Sequence, residues 1–158
     1  MDDIIVARVL HVLGVVIWIG GVSIVTTVVL PAIRRGELGA DQLHAFEAIE
    51  RRFAWQARTS ILIVGATGFY MTARLDLWDR FRSAEFWWMH AMLLVWLLFF
   101  VGLFVVEPFL IERRFHRWAA ARPMETFTVL SRIHWALLAL SLSAIAGAVA
   151  GSQGWSLF

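Results

Sequence analysis

The sequence predicts an all-α protein, an integral membrane four-helix bundle of up-down topology forming a single domain over residues 1–158. Three observations predict it. Hydrophobic residues make up 60% of the chain and mean hydropathy is +0.73, well beyond the apolar share of roughly 45–50% in soluble domains. Four apolar runs each exceed the about 20 helical residues that cross a bilayer. The gaps between them are short and carry arginines and acids, so consecutive helices are antiparallel neighbours.

The first run extends from about Ile4 to Ile33, with Pro31 near its end. It is too long for a signal-peptide core and has no basic stretch ahead of it, so it reads as a retained span. Residues 41–52 read as a short amphipathic helix, with Leu43, Phe46 and Ile49 set against Glu47, Glu50, Arg51 and Arg52. Asp41 is its expected N-cap. This piece either lies on the membrane surface or extends the next span into water. The second span covers about Phe53 to Ala73, the third Phe86 to Ile111 and the fourth Thr126 to Gly151. Trp78, Phe81, Trp87 and Trp88, around the second connection, resemble an interfacial aromatic belt. Backbone groups in lipid are satisfied within their own segment, so these runs are helices and not strands.

Composition excludes several functions. There is no cysteine, hence no disulfide, thiolate metal site or C-x-x-C-H haem attachment. All 14 basic residues are arginine, which removes Schiff-base chemistry. The net charge of +2, without a basic stripe or motif, argues against nucleic-acid binding. The first and third connections hold Arg34, Arg35, Arg51, Arg52, Arg113, Arg114, Arg117 and Arg122, against Arg8, Arg74, Arg80 and Arg82 on the other side. The positive-inside rule then places both termini on the outer, periplasmic side of a bacterial inner membrane.

His11, Gly14, Trp18 and Gly21 recur at helical spacing on one stripe of the first span. An ionisable group inside a span is costly, which marks His11 as a candidate functional residue. His11 and His90 each lie about eight residues outward of the middle of their spans, roughly 12 Å above the midplane on the same side. Two imidazoles at matched depth on different helices suit the axial positions of a haem iron. Arg8, one turn before His11, and Arg74, Arg80 and Arg82 could pair with haem propionates. Gly14 offers a slot for the ring, and Gly65 and Gly68 could serve alike, although small residues in membrane helices also simply permit close packing. His134 lies about 19 Å from that level along the membrane normal. With Arg132 beside it, it could hold a second haem (with His44 or His116), or a quinone or porphyrin, or simply bond across helices. Glu107, before Pro108, could pair with an arginine, relay protons or reach the interface. Copper is the competing metal, with histidine joined by Met71, Met89 or Met92 as soft ligands.

The pattern Leu10-His11-x2-Gly14-x3-Trp18-x2-Gly21, with Trp88-Met89-His90-Ala91-Met92-Leu93 opening the third span, resembles the small four-helix HemJ-type protoporphyrinogen oxidases and the CopD-like copper-resistance domains. The resemblance covers about half the chain. It implies a b-type haem with His11, and His90 or Met92, as ligands, and hence electron transfer with a quinone or a membrane redox partner. The oxidase family has a lysine two residues after its third-helix histidine; Met92 stands there instead. The oxidase's basic residues after the first span also have no match in Thr26 to Pro31. Both departures weigh against protoporphyrinogen oxidation and leave haem binding as the expectation, with copper transport and a haem-dependent protoporphyrinogen oxidase as the alternatives. Small bundles of this kind often form homo-oligomers.

Overall fold

A computed structural model of the chain describes residues 1–37, 39, 42–111 and 122–155. These residues form four long helices, with no strand among them. Helix α1, Asp2–Arg34, is continuous for 33 residues. Its register widens over Val25–Val29, where the Leu30 N–H bonds the Val25 carbonyl five residues back. The following residue, Pro31, supplies the reason. A proline ring collides with the carbonyl four residues before it, and a wider turn relieves that collision. Helix α3 repeats the device: Trp87–Val101 is α-helical, and Gly102–Ile111, containing Pro108, is π-helical. Pro123 instead opens helix α4, Pro123–Ser152, where a missing N–H leaves no bond unmade.

Helix α2, Gln42–Arg74, is also 33 residues long. It runs unbroken through Phe53, so the amphipathic piece is an extension of the second helix and not a separate surface helix. Asp41, Arg113, Arg114, His116 and Arg117 lie outside the described residues. Two short 3₁₀ turns, Trp78–Arg82 and Ala84–Phe86, join α2 to α3.

Three helices are long and apolar enough to cross a membrane: α1, the stretch Ala84–Glu107 around α3, and α4. The sequence expectation counted four. Helix α2 has the length but not the apolarity, because Gln56, Arg58, Thr59, Ser60, Thr67 and Tyr70 interrupt its hydrophobic run. Several of those polar residues bond to other helices, which is where their presence is explained: Arg58 to α3, Thr67 to α1 and Tyr70 to α1.

The helices pair as two antiparallel hairpins, α1 with α2 and α3 with α4. Contacts of α2 with α3 and of α4 with α1 close the ring. One core cluster joins all four helices through Trp18, Ile61, Val95, Phe99 and Leu138. A second, nearer the first connection, packs Val25, Leu30, Ile33, Phe46 and Phe127. Much of the outer surface is apolar, with Val16 at 62% exposure against 0% for Leu30. That distribution suits lipid as the surrounding solvent. Buried hydroxyls are satisfied within their own helices: Thr26, Thr72, Thr126 and Ser141 each donate to a carbonyl four residues back.

Candidate histidine site at the first hairpin

Helices α1 and α2 meet closely because glycine lets them. A Cβ on Gly14 would stand 2.8 Å from a Val64 methyl, and one on Gly21 would enter the Phe53 ring. The Gly14 slot expected to admit a cofactor ring is therefore filled by Val64 in this structure. Gly65 is likewise covered by Trp96, and Gly68 lies under the imidazole of His11, 3.2 Å from its Cε1 to a built Cβ.

This approach seats His11 against α2. Its Nδ1 lies 3.0 Å from the Val64 carbonyl and 3.1 Å from Thr67 Oγ1. Thr67 gives its own hydroxyl hydrogen to the Ile63 carbonyl at 2.6 Å. Both neighbours of Nδ1 are thus acceptors, so Nδ1 carries the proton and donates. The Nε2 lone pair is left over, and it has no partner among the described residues. A histidine whose Nδ1–H is fixed by a carbonyl, with Nε2 free, is oriented as metal-ligating histidines are.

His134 repeats the arrangement less elaborately, with Nδ1 donating to the Leu130 carbonyl of its own helix at 2.9 Å. His90 differs. Its Nδ1 faces the Phe86 carbonyl at 3.2 Å and its Nε2 faces the Phe81 carbonyl at 2.9 Å. A neutral ring has one N–H and satisfies only one of these; a protonated ring satisfies both. His90 is exposed, with the Phe81 ring edge-on at 5.7 Å between centroids. To serve a metal, Nε2 of His90 would have to give up Phe81.

The remaining sequence-predicted residues are dispersed. Arg8 and Arg132 are exposed and have no partner among the described residues. Trp18 is in the core at 3% exposure, edge-on to Phe99, and its indole N–H is buried without an acceptor among the described residues. Glu107 pairs with an arginine: Arg58 donates to its carboxylate at 2.7 Å. The Nε–H of Arg58 also reaches the Leu103 carbonyl at 3.3 Å. In a π-helical register that carbonyl faces the nitrogen of Pro108, which has no hydrogen to give, so Arg58 supplies the missing donor. His44 is exposed and has a partner.

Thr67 and Val64 were not singled out by the sequence reading, yet they position His11. A signal existed. Thr67 is a hydroxyl residue in an apolar run, and the antiparallel register that pairs Asp3 with Arg74 and Gly14 with Val64 also sets His11 opposite Thr67.

The donor set fits haem through one residue, His11. No group of three or more His, Cys, Asp or Glu side chains able to hold a metal occurs among the described residues, whereas an axial haem ligand needs only one imidazole, because the porphyrin supplies the other four nitrogens. No protein family, curated protein or solved structure matches the chain.

Proposed function

We propose that this chain is an integral membrane b-type haem protein with a redox role, in which His11 is an axial ligand to iron. The observation that carries the reading is the fixed Nδ1–H of His11, held by Val64 and Thr67, with Nε2 left available. When bound, haem supplies a one-electron Fe(III)/Fe(II) couple. The chain's own part is to orient the imidazole, to set its basicity through the Val64 carbonyl, and to keep water from one side by the close α1–α2 contact at Gly14. Arg8, one turn outward of His11, is exposed with no partner among the described residues, which suits it to pair with a propionate. His134 has the same free-Nε2 arrangement and is the position for a second haem or a quinone. In this reading the chain sits in a bacterial cell membrane with both ends outward and exchanges electrons with a quinone or a membrane partner.

The test is the absorption spectrum of detergent-purified protein. A Soret band is expected, lost on His11→Ala and retained on His90→Ala. A protein with no Soret band, before or after haemin is added, overturns the proposal. Stoichiometric copper in that protein would transfer the reading to a copper carrier.

A further inference from the structure

A groove of about 510 Å³ lies on the outside of the first hairpin. It follows α1 from Val16 to Val29, thirteen residues further on, which is roughly 20 Å of helix. That is the about 15 Å of one leaflet's hydrocarbon and a few ångströms past the midplane. Its floor is cut by Gly20, where a Cβ would meet nothing, and by Gly21, which lies under Phe53. Its other wall, from α2, carries two polar side chains, Arg52 and Gln56.

Arg52 and Gln56 are both exposed, and neither has a partner among the described residues. They sit four residues apart, on one face of α2. With Asp3 opposite Arg74 and Gly14 opposite Val64, Arg52 falls near the level of Val25 and Gln56 near Val22. Val25 is roughly 10 Å from the centre of the first span, counted from Ile4 to Ile33. An amide and a guanidinium at that depth, turned outward, are expensive in hydrocarbon unless something from outside the chain bonds them. Arg58, farther along α2 and turned inward, has Glu107 and a carbonyl; Arg52 has neither.

We infer that this groove is a binding site for one anionic phospholipid of the leaflet facing the α1–α2 connection. One acyl chain lies in the notch at Gly20, against the Phe53 ring that covers Gly21. The phosphate meets Arg52, whose long side chain reaches outward to the headgroup level and whose fork can donate two parallel bonds to it. Charge complementarity sets the choice of an anionic headgroup, because Arg52 is in the groove wall and exposed Arg34 and Arg51 adjoin the same connection, while Arg35 is bridged to Glu37. The site needs the chain to be in a membrane and is independent of iron, so the spectrum bears on the haem reading alone.

The test is native mass spectrometry of the full chain, released from detergent with equimolar phosphatidylglycerol and phosphatidylcholine of matched acyl chains. The wild type is expected to retain one phosphatidylglycerol, preferred about fivefold. Arg52→Gln should bring retention to the phosphatidylcholine level. Gly20→Leu, whose Cβ meets nothing within 4 Å, fills the notch and should lose the retained lipid of either kind. Arg51→Gln removes the same charge one residue away and should keep the preference. Equal retention of the two lipids by wild type, or a preference unchanged by both Arg52→Gln and Gly20→Leu, overturns the site. So does a dimer that Gly20→Leu dissociates while no lipid is retained, because a second copy would then be the occupant.

Discussion

The two hairpins are held together differently. Between α1 and α2 the contacts are polar at several depths: Asp3 accepts from Tyr70 and Arg74 at the water end, and His11 bonds Val64 and Thr67 two turns deeper. Between α3 and α4 the contacts are apolar, with Trp87 and Trp88 laid on Gly147 and Gly151. The histidines of the second hairpin bond carbonyls on their own side, His134 within its helix and His90 to Phe81 and Phe86 at the head of α3. Helix association in lipid draws on both means, since lipid tails are as apolar as the helices and burial alone gives little. The proposed haem ligand belongs to the hairpin with the polar contacts; the other hairpin is held by tryptophan on glycine.

The largest effect that would break this contrast is on cofactor binding. His11→Ala should abolish the haem absorption outright, while His134→Ala leaves the main band, checked by haemin titration of each variant. Equal losses would mean that the second hairpin shares the primary site. Next comes packing. Gly147→Leu drives a side chain into the Trp87 ring and should lower stability by about 1–3 kcal/mol, read as a drop in the thermal midpoint in detergent with the haem spectrum retained at low temperature. Thr67→Val preserves volume and removes one of the two acceptors of His11 Nδ1, so haem affinity should fall about tenfold with little change in the midpoint. Asp3→Asn should do least. Its ion pair with Arg74 is exposed, and screened pairs of that kind contribute little, so both midpoint and spectrum should match the wild type.

Much of the fold is legible in the residues. The first span, read as Ile4 to Ile33, is α1, Asp2–Arg34, and the fourth, read as Thr126 to Gly151, is α4, Pro123–Ser152. Hydrocarbon thickness and the cost of charge set those limits, and both act one residue at a time. Azimuth is harder. Counting residues from a span's middle gives depth along the membrane normal and says nothing of which way a helix is turned. His11 and His90 were matched on depth, yet the neighbours of His11 are Val64, Thr67 and Gly68 on α2. Which helix faces which is decided by where small residues admit large ones. Gly14 with Val64, Gly65 with Trp96 and Gly147 with Trp87 are pairings between distant positions that no local pattern reveals. Of the three readings open for Glu107, the structure shows the ion pair, with Arg58 of α2.

The Arg58 contacts bear on how the protein is made. Helix α3 carries a carboxylate and a carbonyl without a backbone donor, and both are bonded by one guanidinium on α2. In a chain threaded into the bilayer from its N-terminus, α2 arrives first. The partner is then waiting when Leu103 and Glu107 emerge, and the order of synthesis spares α3 from entering lipid with those groups bare.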